Sequence, residues 1–321
     1  MSIVYLVVPC YNEEEMLPET ILRLTEKMQS VISAGLAGSD SRFMLVDDGS
    51  KDKTWEIIAA NSKNNPLCCG LKLSRNQGHQ NALMAGLMTA KSSADCVISL
   101  DADLQDDIDA IDEFLQKYNE GCDVVYGVRN KRETDSIFKR STARGFYKLM
   151  KVMGADIVYD HADYRLMSRR ALDALGEYSE VNLFLRGIIP LIGFRSDYVY
   201  YDRKERMAGE SKYPLRKMLS FAMNGITSFS VKPLKMISAI GIFISILSVV
   251  GIIYALISYF AGNAVTGWAA TICSLFLIGG VQLFCIGVLG EYIGKIYSEV
   301  KNRPRFLVEA LIGTEKDGKI D

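Results

Sequence analysis

"VISLDADLQDD", residues 97–107, runs from apolar, strand-like residues directly into Asp101, Asp103, Asp106 and Asp107. Carboxylates at such spacing repel and raise one another's pKa unless a cation lies among them. A D-x-D pair alone is common in acidic loops. Here a strand precedes it and a helical pattern follows, which marks the carboxyl end of a strand in an α/β sheet, where such sheets bind ligands. Asp101 and Asp103 stand two apart, so in extended geometry their side chains point the same way and can share one hard cation. Mg2+ or Mn2+ suits them, since such ions prefer oxygen ligands and can bridge one or two carboxylates to substrate phosphates. Asp106, Asp107, Asp109, Asp112 and Glu113 read as a solvated helix N-terminus, where acidic side chains complement the macrodipole.

Outward from this stretch the pattern repeats. "IVYLVV", a helix from about Glu14 to Ala34, "RFMLVD", a helix near Thr54 to Asn61, "CCGLKL" and a helix from about Gln80 to Thr89 precede "CVISL". A helix from about Ile108 to Tyr118 and "DVVYG" follow. Strands alternating with helices predict a mostly parallel sheet flanked by helices. Polar clusters fall at strand ends: "PCYNEEE", "DDGSKDKT" and "DADLQDD". Asp47 and Asp48 can accept hydrogen bonds from a nucleotide, or close an Asx turn with Gly49 and Ser50. No G-x-G-x-x-G follows the first strand and no G-x-x-x-x-G-K-[ST] occurs, which excludes dinucleotide and P-loop readings. His79 reads as a loop histidine capping the next helix.

The net charge of -1 over 321 residues offers no strong field for nucleic acid. Seven cysteines follow no metal-ligand spacing, and the adjacent Cys68 and Cys69 read as strand residues, consistent with a reduced, cytoplasmic domain. The N-terminal "MSIVYLVVPC" lacks a basic n-region and a cleavage site and reads as a strand.

Met236 to Gly290 contains no charged residue and breaks near Asn263 into two apolar runs, each longer than the roughly 20 residues that cross a bilayer core. Two transmembrane helices are predicted, about Leu234 to Phe260 and Trp268 to Gly290. Lys232 and Lys235 precede them and Lys295, Lys301, Arg303 and Arg305 follow, so the positive-inside rule puts both ends in the cytoplasm. "MLSFAMNGITSFS" carries apolar residues at helical spacing beside a basic segment and suits an interfacial helix. The expected organisation is a catalytic domain over 1–212, a juxtamembrane amphipathic helix over 213–232, a transmembrane hairpin over 233–291 and a cytoplasmic tail over 292–321.

"VVPCYNEEEMLPE", "LVDDGSKDKT", "LKLSRNQGHQNALMAGL", "LDADLQD", "DYRLMSRRAL", "RKERMAGESKYPLRK" and "GVLGEYIGKIYSEVKNRP" together resemble family 2 glycosyltransferases of the dolichyl-phosphate-mannose-synthase-like branch, of the bacterial polyprenyl-phosphate glucosyltransferase type. The resemblance covers nearly the whole chain and implies a GT-A type fold. It implies that Pro9, Tyr11 and Glu13 line a nucleobase pocket with Asp48 near the uridine. Asp101 and Asp103 would bind metal, Asp101 also contacting the nucleotide sugar and Asp103 counting as catalytic, with Gln105 as a third metal contact. Asp163 matches a carboxylate proposed as a base, and Arg206, Ser211 and Lys212 would close over phosphates. His161 stands where relatives carry a small or polar residue. Arg129, Lys139, Arg140 and Arg144 form a basic group that can receive an anionic lipid head.

The reaction so implied is inverting transfer of a hexose to polyprenyl (undecaprenyl) phosphate at the cytoplasmic face of the plasma membrane, for cell-envelope glycan modification. UDP-glucose is the first donor, with UDP-GlcNAc, UDP-galactose and GDP-mannose behind it. Relatives point to a homo-oligomer. A processive polysaccharide synthase would need a "QxxRW" motif, and Trp55 and Trp268 lie in none. A non-enzymatic flippase subunit or scaffold would explain the spans, but not the ordered polar motifs, and the spans hold no charge of the kind transport uses.

Overall fold

A computed structural model of the chain describes residues 1–129, 161–180, 184–202, 232–261 and 267–314. Two compact units emerge, a sheet unit that includes the C-terminal residues from Arg303 and a helical unit that includes the two long apolar helices.

The sheet unit follows the alternating pattern: β1 (Val4–Cys10), α1 (Leu17–Ser33), β2 (Arg42–Asp47), α2 (Thr54–Asn64), β3 (Cys68–Leu73), α3 (His79–Ala90) and β4 (Cys96–Ser99). A 3-10 turn (Ile108–Ala110) leads into α4 (Ile111–Asn119), then β5 (Val124–Arg129). β6 (His161–Ser168), α5 (Arg169–Gly176), α6 (Leu185–Leu191), β7 (Ser196–Tyr201) and, after the long helices, β8 (Val308–Ile312) complete it. The order across the sheet is β7-β5-β6-β4-β1-β2-β3-β8. β4, β1, β2 and β3 run parallel, as expected of strands joined through helices. Every residue of β1 is buried, as its unbroken apolar run requires of a strand covered on both faces. α1 buries Leu17, Ile21, Leu24, Met28 and Val31, one stripe at helical spacing, on the face that holds Leu6, Val8 and Phe43. α3 covers the opposite face. It comes so close that a Cβ on Gly86 would lie 2.4 Å from Val7 and 2.7 Å from Val46, so only glycine fits there.

β6 is the exception that matters. It lies antiparallel between β4 and β5, with Ser99 opposite Arg165. An antiparallel strand begins where its neighbours finish, so the start of β6 stands beside the carboxyl end of β4.

Two departures from the sequence reading concern the ends of elements. Residues 101–104 form a turn rather than a continuing strand, with Leu104 at φ 52°. The segment 292–321, expected as a tail, begins inside a helix, and its residues 308–312 pair with β3 as an edge strand. The Lys72–Glu309 ion pair (2.8 Å) and the Cys69 thiol donating to the Gly313 carbonyl (3.0 Å) accompany that pairing.

In the helical unit, α7 (Lys232–Phe260) and α8 (Trp268–Val300) contain stretches of mean hydropathy 2.1 (Lys232–Gly251) and 1.6 (Leu277–Val300), long and apolar enough to cross a membrane. Neither stretch is buried in protein: Phe243, Ile246, Leu283 and Phe284 are each more than half exposed. A soluble core hairpin would bury them, whereas lipid-facing helices expose them. The expected juxtamembrane helix falls almost wholly outside the described residues.

Candidate active site

The loops after β1 and β2 are laced together. The Asp48 N–H donates to the Cys10 carbonyl (2.9 Å), Asn12 N–H to Ser50 Oγ (3.0 Å), Lys51 N–H to Asn12 Oδ1 (2.9 Å) and Glu13 N–H to Thr54 Oγ1 (2.9 Å). Asp47 accepts from the Ser50 N–H at 3.1 Å, the Asx turn its sequence allows. Gly49, at φ 64°, lets the loop after β3 come against this pair of loops. A Cβ there would stand 2.5 Å from backbone atoms of Arg75 and Asn76. Pro9 lies within β1, opposite Val46, while Tyr11 is exposed at the end of that strand.

Asp48 is buried, and its two oxygens accept from the backbone N–H groups of Gln77 (2.7 Å) and Gly78 (2.9 Å). Its role here is to hold the segment that starts α3. Burial raises its pKa, and those two N–H groups offset part of the rise. Gly78 then turns at φ 87° and His79 opens the helix. His79 is not the cap that the sequence suggested, since Gly78 holds the N-cap position and His79 is the first residue of the helix. The ring instead reaches into the site, where Nε2 lies 3.7 Å from both Asp101 Oδ1 and Asp163 Oδ2.

The strand register explains that meeting. The β4–β6 pairing ends at Ser99 and Arg165, and from there the chain leaving β4 and the start of β6 bring Asp101 and Asp163 to the same ring nitrogen of His79. Asp163 is gripped from two sides. Arg186, the second residue of α6, donates from Nε to Oδ1 (3.2 Å) and from Nη2 to Oδ2 (3.1 Å), and the fully buried Arg165 donates from Nη2 to Oδ1. Gln80 Oε1 accepts from the Leu185 N–H at 3.1 Å, which ties the start of α6 to the start of α3.

Electrostatics separate the two carboxylates. Burial works to raise Asp163, but Arg186, His79 and Arg165 outweigh it and hold the group well below the usual carboxylate range. Asp101 goes the other way. Burial lifts it, His79 offsets part, and Asp106, Asp163 and Asp103 add repulsion, leaving it at about 6. His79 itself is lowered by burial and raised, on balance, by Asp163 and Asp101.

Asp103 Oδ1 accepts the Gln105 N–H at 3.2 Å across the acidic turn, and Gln105 is nearly buried. No group of three or more His, Cys, Asp and Glu able to hold a metal ion occurs among the described residues, so a closed protein cage is absent there. An open all-oxygen pair, Asp101 and Asp103, with Asp101 raised by burial and further by its like-charged neighbours, fits a hard divalent ion that takes one or two carboxylates and fills its remaining positions with water and phosphate.

The structure therefore brings together Asp101 and Asp163, with Asp103 and Gln105 on the adjoining turn. It adds His79, Arg165 and Arg186, which sequence reasoning either misread or passed over. Arg165 lay in the quoted "DYRL", but Arg186 carries no local signal. Arg129 pairs with Asp106 at 3.1 Å rather than standing free for a lipid head. Asp106, expected to be solvated, is 5% exposed. Lys139, Arg140, Arg144, Arg206, Ser211 and Lys212 lie outside the described residues.

Comparison with known proteins places the chain among glycosyltransferases. The family model "Glycosyl transferase family 2" matches residues 5–176, and "GtrB C-terminal hairpin" matches residues 232–296. The "Uncharacterized glycosyltransferase YkoT" of Bacillus subtilis (strain 168) is 55% identical over 304 residues, 95% of this chain and 90% of that protein. "Uncharacterized glycosyltransferase YkcC" of the same organism is 42% identical over 97% of this chain and 94% of its own length. The "Bactoprenol glucosyl transferase" of Shigella phage SfII is 41% identical over 306 residues, 95% of this chain and 96% of that one.

Proposed function

The chain belongs to glycosyl transferase family 2, and we propose that it moves a hexose from a nucleotide sugar to a polyprenyl phosphate at the cytoplasmic face of a membrane. The observation that carries this reading is the junction of Asp101, His79, Asp163 and Arg186 at the carboxyl end of the sheet, in a chain that also contains two exposed apolar helices. The similarity to a bactoprenol glucosyl transferase supports glucose as the sugar, hence UDP-glucose as the donor, and an undecaprenyl-type phosphate as the acceptor.

The loops after β1 and β2 receive the nucleotide. Tyr11 offers an exposed ring to the base, Pro9 and Glu13 bound the pocket, and Asp48 keeps the neighbouring loop in place through Gln77 and Gly78. Asp101 and Asp103, with Gln105 beside them, would hold Mg2+ or Mn2+, which would supply charge stabilisation to the departing diphosphate. An acceptor phosphate oxygen forms a bond to the anomeric carbon as the bond from that carbon to the diphosphate oxygen breaks, and the configuration inverts. A phosphate monoester with its second pKa near 6 is largely a dianion at neutral pH and needs no base. Asp163, held low by two arginines and His79, is a poor proton acceptor and acts by orienting them. The basic residues outside the described regions, Lys139, Arg140, Arg144, Arg206 and Lys212 with Ser211, complete the phosphate-binding set.

The hairpin keeps the site at the acceptor's surface, because drawing a polyprenyl chain into water costs about 0.8 kcal/mol per exposed methylene. Lys232 and Lys235 in the first turn of α7, and Arg303 and Arg305 after α8, support a cytoplasmic position for both ends of the hairpin.

The test is direct. Purified protein in detergent, given labelled UDP-glucose, undecaprenyl phosphate and Mn2+ or Mg2+, should form a glucosylated phospholipid, with UDP-GlcNAc, UDP-galactose and GDP-mannose as the comparison panel. No lipid product from any of the four donors, or equal turnover in excess EDTA, would overturn the reading.

A further inference from the structure

The acidic stretch places a second aspartate where its sequence gave no reason to expect a fixed role. Asp106 is 5% exposed, and its Oδ1 accepts from Arg129 Nη2 (3.1 Å), at the end of β5, and from the Tyr201 hydroxyl (2.7 Å), at the end of β7. Its Oδ2 is buried and meets no hydrogen-bond donor among the described residues. A carboxylate is carried into such a place only when charged and hydrogen-bonding partners meet it there. Arg129 and Tyr201 are those partners.

The turn between Asp101 and Asp107 is pinned at three points. Toward its start, the Thr20 hydroxyl donates to the Ala102 carbonyl at 2.8 Å. At its end, the Tyr164 hydroxyl donates to the Asp107 carbonyl at 3.0 Å, and Asp106 makes the clamp just described. Between the pins Leu104 holds φ 52°, in the left-handed region that a branched side chain adopts only where its surroundings impose it. Asp103, just before Leu104, takes the direction of its carboxylate from this constrained backbone and from the Gln105 N–H.

We propose that Asp106 is a positioning residue: clamped to Arg129 and Tyr201, it holds the turn in the conformation in which Asp103 and Asp101 offer their oxygens to a divalent cation. This rests on the metal-dependent transfer put forward above. It also gives Arg129 a task inside the protein, away from the lipid head group. Residues that fix ligand direction without touching the ion commonly change metal affinity by about 10- to 100-fold when lost.

The experiment measures Mn2+ binding to the full chain in detergent, by loss of the free-ion EPR signal with and without UDP, alongside thermal unfolding and glycolipid formation. The parent is compared with Asp106→Ala, Asp106→Asn, Tyr201→Phe and, as the control that removes a ligand, Asp101→Asn. Asp106→Ala should weaken Mn2+ binding by about 10- to 100-fold. Asp106→Asn, which keeps an acceptor oxygen, should recover much of the loss, and Tyr201→Phe should lose part of it. The Mn2+ concentration that half-activates transfer should move in parallel, with kcat returning toward the parent value at saturating Mn2+. If Asp106→Ala does not fold, Tyr201→Phe decides, since it removes one donor and almost no volume. Folded Asp106→Ala or Tyr201→Phe protein with parental Mn2+ affinity overturns the proposal, and a parent that binds no Mn2+ overturns it together with the metal reading. Failure of the transfer reading looks different: the parent binds Mn2+ and makes no glycolipid, and the ranking of Mn2+ affinities still decides the role of Asp106.

Discussion

Arg186 forks Asp163, with Nε and Nη2 at 3.2 and 3.1 Å from the two carboxylate oxygens, although the residues come from different elements and are separated by a stretch outside the strand. A planar guanidinium fixes both the distance and the plane of its partner, which a lysine ammonium cannot do. The fork, the buried Arg165 and the ring of His79 leave Asp163 one orientation, and through His79 that orientation is shared with Asp101.

Replacing Arg186 with lysine should therefore be nearly as damaging as replacing it with alanine. Transfer should fall on the order of 100-fold in both, the cost of a misplaced site group, with a smaller change in the KM for UDP-glucose. Steady-state kinetics with undecaprenyl phosphate check this, and near-parental turnover by Arg186→Lys would remove the fork from the mechanism.

Asp101→Asn and Asp103→Asn should each abolish measurable transfer at any Mg2+ or Mn2+ concentration, because an amide oxygen carries no charge to hold the ion. Chelation of the parent should do the same, and added metal should restore it. A variant that keeps its rate with metal present counts against the pair as ligands.

Gly49→Ala should destabilise the chain by at least about 1–2 kcal/mol, the cost of a left-handed conformation for a residue with a Cβ. The collision with the Arg75–Asn76 backbone adds to it. The loop it displaces leads to the segment Asp48 holds, so UDP binding should weaken as well. Thermal unfolding and calorimetric titration with UDP measure the two effects.

Removing residues 303–321 should inactivate the enzyme although no candidate catalytic residue is lost. β8 covers the edge of β3, and without it that edge offers unpaired N–H and C=O groups to other chains. Size-exclusion chromatography should show aggregation of the truncated protein, and a monodisperse, active product would show that the strand is dispensable.

The first sheet strands and their helices were legible because periodicity is a local signal: "RFMLVD" and "CCGLKL" became β2 and β3 with the boundaries expected. The acidic turn stood out as a candidate ligand site for the same reason. What could not be read locally was β6, whose antiparallel insertion brings Asp163 to the His79 ring that Asp101 also meets, and α6, whose Arg186 lies in an ordinary apolar helix. His79 and Asp106 failed for one shared physical cause. A polar residue next to a helix start has a satisfactory local explanation, and only the tertiary register shows that other partners claim it. β8 was missed because "VEALI" is short and follows a helix that reads as the end of the chain's organised part.

That last strand also sets an order of events in the cell. The thiol of Cys69 reaches a carbonyl 244 residues further along, so the sheet waits for the ribosome to finish the apolar hairpin and the segment beyond it. N-terminal portions fold first during synthesis, yet β3 keeps an open edge until residues 308–312 have been made. A nascent chain that stops short of residue 308 would thus lack the strand that closes this edge of its sheet.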